Sequence, residues 1–112
     1  MPAEPDRYRL ALEPRALSLG YRLGSDALLL LLDLAAHATD SPEGMVVAAS
    51  YRDLARRLGI SKDTVGRRMA LLRRACVVVE HRQNGAHRFE VRCYMLDLEL
   101  AGVTREPVTV AA

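Results

Sequence analysis

The stretch SYRDLARRLGISKDTVGRRMALLRRA, residues 50–75, carries the local signals of two short helices joined by a tight turn. Ser50 precedes the first helix and Asp53 follows three residues later, a capping-box spacing that satisfies free backbone N–H groups at a helix start. Gly59 is placed to end that helix, because a left-handed residue at a helix end is free of strain only for glycine. Ser61 is placed to cap the second helix.

Apolar residues recur at helical spacing in the same stretch and define its buried side. On the second helix they fall at i, i+4, i+7 and i+11, which is a single stripe. The predicted inward-facing set is Leu54, Ala55 and Leu58 on the first helix, Ile60 in the turn, and Val65, Met69, Leu72 and Cys76 on the second helix. At about 100° per residue, Arg67 and Arg74 lie almost opposite Val65 and point outward. This arrangement fits a helix-turn-helix, which places its second helix in the DNA major groove.

The positive charge of the chain is concentrated on this stretch and the segment after it. The formal net charge is only +2, yet residues 51–92 hold eleven Lys and Arg against four Asp and Glu, a balance of +7. Residues 1–50 balance to −3 and residues 93–112 to −2. A basic centre between acidic ends is the expected footprint of a face that binds a polyanion. The alternative is a solvated basic face without a partner.

Composition favours a single-domain globular protein. The 112 residues, half of them hydrophobic, suffice for one modest core. The two cysteines, Cys76 and Cys93, have no zinc-ligand spacing and are expected to be buried thiols in a reducing cytoplasm. No signal peptide, membrane span or shared set of catalytic side chains can be placed on the sequence. We therefore expect a cytoplasmic protein that is not an enzyme, holds no metal or cofactor, and shows no evident small-molecule ligand.

The segments before residue 50 predict a strand, a helix and a second strand. Alternation over residues 8–12 favours a strand that Pro14 ends. Ser25 or Asp26 is expected to cap a helix running to about Ala38, apolar on nearly every face and therefore central in the core. Two short stretches follow: a turn at TDSPEG (39–44) and an apolar strand at MVVAA (45–49).

The segment VVVEHRQNGAHRFEVRCYM, residues 77–95, predicts a β-hairpin. A two-residue turn at Asn84 and Gly85 would mix apolar and charged side chains on each face. A loop of residues 83–85 instead sets Val79 opposite Phe89 and Glu80 opposite Arg88, and we prefer it. In this register Val77, Val79 and His81 share an apolar face, and Arg82, Arg88 and Arg92 point outward. Beyond the hairpin, Leu98 and Leu100 indicate one more packed turn or strand, and the tail at 104–112 is expected to be loose.

The order helix, strand, helix, turn, helix and two-stranded wing resembles the winged helix-turn-helix superfamily of bacterial regulators. The string LARRLGISKDTVGRRMALLRRA (54–75) is similar to versions in plasmid and phage replication-associated proteins and in GntR-type regulators. The resemblance covers residues 25–95 and implies an α+β fold, a three-helix core with a β-hairpin wing. Residues 1–24 would form an N-terminal extension, a strand or arm that contacts a dimer partner, and residues 96–112 a C-terminal extension and tail.

Two positions depart from the superfamily pattern. Cys76 stands where such proteins commonly have a glycine between the third helix and the wing, which leaves the helix-to-strand geometry open. Arg68 stands at the margin of the apolar stripe, where they commonly have a small residue, which leaves the direction of its side chain open.

The resemblance also implies which residues meet DNA, because the third helix of such proteins reads the major groove with its N-terminal part. The candidates are Ser61, Lys62, Asp63, Thr64, Gly66, Arg67 and Arg68 on the recognition helix, Arg82, Gln83, Asn84, His87 and Arg88 on the wing, and Arg52 and Arg56 for phosphate contacts from the second helix. Arg67 is the leading candidate for a guanine edge. Asp63 either stabilises the helix dipole or contacts cytosine. Gly66 either permits a close approach to DNA or has no role in binding.

These observations predict sequence-specific binding of double-stranded DNA by a transcriptional regulator. One alternative is a plasmid or phage replication, partition or transfer factor. Another is a winged-helix module that binds protein instead of DNA, which would show exposed apolar residues on the third helix. One module covers only a short site, so a homodimer with contacts from residues 1–24 and 94–112 is expected.

Overall fold

The computed structural model describes residues 7–81 and 92–108, in which five helices and six strands form. In chain order they are β1 (Arg7–Leu12), α1 (Pro14–Leu23), α2 (Ser25–His37), β2 (Thr39–Ser41), β3 (Gly44–Ala49), α3 (Tyr51–Leu58), α4 (Lys62–Arg74), β4 (Val78–His81), β5 (Arg92–Leu96), α5 (Leu98–Ala101) and β6 (Val103–Val108). Strands β2, β3, β5 and β4 form one antiparallel sheet in that order, and β1 pairs with β6 in a second. The predicted α+β winged helix-turn-helix fold is confirmed, with α2, α3 and α4 as its three core helices.

Helix α2 lies at the centre of the core, as its almost wholly apolar sequence predicts. Leu30, Leu31 and Leu34 are completely buried, and the helix contacts α1, α4, β1 and β3. The start of the helix differs from the prediction. Gly24, with φ of 99°, is the N-cap, and Ser25 is already helical. Because the chain turns from α1 into α2 at this single residue, the positive φ that glycine tolerates replaces a side-chain cap.

Helix α1 is absent from the sequence-based prediction, which placed only a strand before Pro14. Pro14 begins a helix instead of merely ending a strand, since the fixed φ of proline suits the first helical position. Ala16 and Leu19 are buried in the core. Gly20 faces α2, where a Cβ would lie 3.0 Å from Cδ2 of Leu28. The helix is therefore part of the packed fold.

Strand β6 occupies most of the tail that was expected to be loose. It pairs antiparallel with β1, from Leu12 opposite Val103 to Arg7 opposite Val108. Arg105 fastens this pair to the end of α2, because its Nη2 donates a hydrogen bond to the backbone carbonyl of Ala38. A pairing between the two ends of a chain leaves no signal in local periodicity, so the sequence pattern did not indicate it.

The wing strands pair in a different register from the predicted one. Val79 lies opposite Met95 and not opposite Phe89, a shift of six residues. Strand β5 also pairs with β3 on its other side, so two neighbours fix its position, whereas the prediction treated the hairpin as isolated. The faces also differ in part: Val77 is buried as predicted, but Val78 is buried too and Val79, predicted to face the core, is 54% exposed. The predicted loop at 83–85 lies outside the described residues.

Cys76 closes α4 in a left-handed conformation with φ of 64° and is exposed, not part of the buried stripe. Its N–H donates to the carbonyl of Arg73 at 3.0 Å, and the N–H of Val77 donates to the carbonyl of Leu72 at 3.2 Å. These are the two bonds of a Schellman motif, so the geometry that glycine usually serves is kept with a cysteine. Cys93 is partly exposed, so neither cysteine is the buried thiol that was expected.

Candidate nucleic-acid interface

The caps of the helix-turn-helix form where the sequence places them. The backbone N–H of Asp53 donates to Oγ of Ser50 at 3.0 Å, which fixes the start of α3. Gly59 ends α3 with φ of 68°. The backbone N–H of Thr64 donates to Oγ of Ser61 at 3.0 Å, which fixes the start of α4. Since both helix starts and the turn are set by local bonds, the angle between the helices does not depend on a DNA partner.

The buried stripe of α4 is confirmed up to the last full turn of the helix. Leu54 on α3 and Val65, Met69 and Leu72 on α4 have no exposed surface, while Ala55 and Leu58 are partly buried against them. Ile60 is 36% exposed and so does not fill the corner between the helices as predicted. The corner is closed by backbone, because the N–H of Ile60 donates to the carbonyl of Ala55 at 3.1 Å.

The opposite side of α4 carries a short chain of polar contacts that ends on Arg67. The hydroxyls of Ser61 and Thr64 are hydrogen-bonded at 2.8 Å. Nη2 of Arg67 donates to Oγ1 of Thr64 at 3.3 Å, and Arg67 and Arg74 are both exposed, as predicted. The guanidinium of Arg67 is thereby held near the N-terminal end of the helix, where the helix dipole is positive.

Three other residues of α4 differ in their surroundings. Lys62 and Asp63 are exposed in the first turn. Gly66 is partly buried, and a Cβ there would lie 3.5 Å from Cε2 of Tyr51, an ordinary contact distance. A side chain at this position would therefore point towards the ring of Tyr51 on α3.

Arg68 points across the core helices towards α2. Its Nη2 lies 3.4 Å from Oδ2 of Asp26, and its side chain is 32% exposed. Its Nε is buried without a hydrogen-bond partner among the described residues. This contact answers the open question of its direction: the guanidinium joins α4 to the first turn of α2.

The arginines of α3 also differ in whether they contact another helix. Arg52 and Arg56 are exposed, and Nη1 of Arg56 lies 3.8 Å from Oδ1 of Asp53 on the same helix. Nη2 of Arg57 donates to Oδ2 of Asp33 at 2.7 Å, and that carboxylate belongs to a side chain only 14% exposed. The Arg57–Asp33 pair, which fastens α3 to α2, was not predicted. The one signal for it is an acid placed inside the apolar run of α2.

Glu80 forms ion pairs with two arginines near the end of α4. Nη1 of Arg92 donates to its Oε1 at 3.1 Å, and Nη2 of Arg73 lies 3.8 Å from its Oε2. Glu80 lies opposite Tyr94 in the sheet and not opposite Arg88 as predicted. The contacts tie α4, β4 and β5 together and place Arg92, absent from the predicted DNA contacts, at the base of the wing.

The predicted wing contacts Arg82, Gln83, Asn84, His87 and Arg88 lie outside the described residues. Within residues 7–81 and 92–108, no group of three or more His, Cys, Asp or Glu side chains is arranged to hold a metal ion. None of the helices described has the length and apolar character needed to cross a membrane.

Comparison with known proteins gives one match. Residues 21–78 match a family described as a helix-turn-helix domain. This range begins near the end of α1, includes α2, α3 and α4, and is just over half of the chain. No curated protein and no solved structure matches the chain.

Proposed function

We propose that this chain, which belongs to the helix-turn-helix domain family, binds double-stranded DNA sequence-specifically and regulates transcription. In this proposal the N-terminal half of α4 enters the major groove, with contacts from Ser61, Lys62, Asp63, Thr64 and Arg67. Arg52 and Arg56 bind phosphates, and the wing residues Arg82, Gln83, Asn84, His87 and Arg88 bind the adjacent minor groove or its phosphates. Gly66 and Arg68 leave the contact set, because they face Tyr51 and Asp26.

The observation that carries the proposal is the position of Arg67. Its guanidinium is exposed, lies opposite the buried stripe of α4, and is held by the hydroxyl of Thr64 at 3.3 Å. A guanidinium fork matches O6 and N7 of guanine in the major groove. Because part of its side-chain freedom is already removed, less entropy is lost when it binds a base.

The exposed surface of α4 also argues against a protein-interaction module. A helix that binds a protein partner needs exposed apolar side chains. The large hydrophobic residues exposed in the described part of the chain lie elsewhere, and none of them is on α4. The polar and cationic surface of this helix therefore supports a nucleic acid as its partner.

We further propose a homodimer. Leu12, Leu17, Tyr21 and Leu100 are exposed to 40–92% of their surface and lie on β1, α1 and α5, outside the helix-turn-helix. Large apolar residues exposed together are a common feature of association surfaces. A dimer formed there would leave both recognition helices free to meet the two halves of one DNA site. Light scattering at micromolar concentration tests this: Leu17→Glu combined with Tyr21→Glu is expected to shift the mass from dimer to monomer.

The first experiment is a titration of labelled random-sequence duplex DNA with the protein at several salt concentrations, followed by selection of bound sequences. We expect log K against log salt to have a slope of about −4 or steeper, because several Lys and Arg side chains displace counterions from the DNA phosphates. On the selected site, Arg67→Ala should cost about 1–3 kcal/mol of binding free energy and relax the preference at one base pair.

Arg22→Ala is the matched control, because it removes the same charge from an exposed position on α1. No binding near 50 mM salt at tens of micromolar protein would refute the proposal. Equal losses for Arg67→Ala and Arg22→Ala would refute the role of Arg67 alone. A promoter reporter carrying the selected site then separates transcriptional regulation from a replication, partition or transfer role.

A further inference from the structure

A cavity of about 280 Å³ lies where the starts of α3 and α4 face strand β5. Its described lining includes Ser50, Tyr51 and Arg52 from α3 and its cap, Lys62 from the first position of α4, and Arg92 and Tyr94 from β5. Three of these side chains are cations and none is a carboxylate. The cavity therefore collects positive charge from three separate elements of the fold.

Positive charge gathered around one space favours an anion there. Cations around one partly enclosed space repel each other more strongly than they would in open water. The N-termini of α3 and α4 add partial positive charge, since their first N–H groups point out of the helix ends. The ion pair of Arg92 with Glu80, at 3.1 Å, leaves the cavity lining without a carboxylate, because Glu80 does not line the cavity.

The wall of the cavity also holds Tyr51 and Tyr94, whose hydroxyls are hydrogen-bonded to each other. Tyr94 is 1% exposed, and burial, together with a hydrogen bond to Tyr51, raises the pKa of its phenol. The phenol therefore stays protonated at neutral pH and adds no negative charge. The ring of Tyr51 also faces Gly66 on α4, so the cavity wall touches the recognition helix directly.

We infer that this cavity binds a phosphate group, held by Arg92 and Lys62 with help from Arg52 and the hydroxyl of Tyr51. The favoured source is a phosphate of the DNA backbone, and to that extent the inference rests on the proposed function. Lys62 begins the recognition helix, and Arg92 begins the strand that returns from the wing. A phosphate bound between them contacts both DNA-binding elements and fixes their spacing on the duplex. A free phosphate-bearing small molecule is the other source of the same chemistry.

The decisive variants are Arg92→Gln and Glu80→Gln, which break the same ion pair by removing the cation and the anion respectively. If Arg92 binds a DNA phosphate, Arg92→Gln weakens binding severalfold and makes the salt slope shallower by about 1. Glu80→Gln leaves the slope unchanged and strengthens binding, since it removes the negative charge next to Arg92. If the ion pair matters only for the fold, both variants weaken binding equally, and the inference is overturned.

Arg92→Lys and Arg22→Gln serve as controls for folding and for general charge. Arg92→Lys keeps the charge and is expected to keep the slope, and thermal denaturation of each variant checks that it is folded. An Arg92→Gln slope equal to that of Arg22→Gln would exclude the DNA phosphate as the occupant.

A second experiment uses no DNA, so its result tests this inference independently of the proposed function. Inorganic pyrophosphate is titrated into the protein by calorimetry. Binding by the wild type that Arg92→Gln abolishes supports the cavity as a phosphate site even if no duplex binds. The inference is overturned if the protein binds duplex DNA, Arg92→Gln and Arg22→Gln have equal salt slopes, and pyrophosphate gives no heat. The cavity then holds no phosphate site.

Discussion

Arg105 in the β1–β6 pair and Arg67 in the helix-turn-helix have opposite surroundings. Arg105 on β6 donates to the carbonyl of Ala38 and stacks 3.4 Å above the ring centroid of Tyr8, so its interactions are made inside the fold. Arg67 on α4 has one weak internal contact, to Thr64, and otherwise faces solvent. The difference indicates a division of labour: Arg105 stabilises the fold at the terminal strands, and Arg67 is left exposed to meet a partner.

The largest effect we expect is on the free energy of unfolding, when the contacts of Arg105 on β6 are removed. Arg105→Ala removes a charge-assisted hydrogen bond to the end of α2 and a cation–π contact, at a cost of about 2–3 kcal/mol in the free energy of unfolding. Chemical denaturation measures this loss. DNA affinity per folded molecule should stay unchanged, because β6 lies outside the helix-turn-helix.

Arg105→Met refines this prediction. Nε and Nη1 of Arg105 are buried without hydrogen-bond partners among the described residues, which costs free energy that methionine would not incur. We therefore expect Arg105→Met to lose less stability than Arg105→Ala. Equal losses would mean that the unpartnered donors are solvated in the folded protein, and a loss of DNA affinity in either variant would contradict the division of labour.

The same two regions differ in how well the sequence predicts them. In the helix-turn-helix the signals are local: Ser50, Gly59 and Ser61 each fix a helix end within three residues of themselves, and the stripe of α4 repeats within one helix. The caps therefore appear in the structure as predicted, and so does the stripe apart from Cys76. The candidate contact at Arg67 depends on the same periodicity, which is why its exposure could be predicted.

What the sequence could not indicate depends on distant partners. The β1–β6 pairing joins the chain ends, and the wing register is set by β3 as much as by β4. The partners of Arg57 and Arg68 are Asp33 and Asp26 on α2, more than twenty residues away in sequence. Pro14 carried a local signal that the prediction interpreted wrongly, as the end of a strand instead of the start of a helix.

A smaller effect is expected at the end of the recognition helix, where Cys76 adopts a left-handed backbone at φ of 64°. Glycine has no Cβ penalty in this conformation, so Cys76→Gly should raise the free energy of unfolding by about 1 kcal/mol. Cys76→Ala is the control, because it removes the thiol and keeps the penalty. A gain shared by both variants would assign the effect to the thiol and not to the backbone.

The smallest effect expected is at Gly66, and it decides between the two interpretations of this glycine. Alanine in a helix interior is more stable than glycine by about 0.8–1 kcal/mol, and the added methyl has room 3.5 Å from the ring of Tyr51. Because that methyl points towards α3 and not towards the groove-facing side of α4, Gly66→Ala should stabilise the protein and leave its affinity for the selected DNA site within about twofold. In Gly66→Leu the leucine side chain is too large for the space beside Tyr51, so this variant should lose both stability and DNA affinity. If Gly66→Ala instead gains stability but loses DNA affinity, the glycine is there for close approach to DNA, and the helix-turn-helix gives up stability for binding at this position.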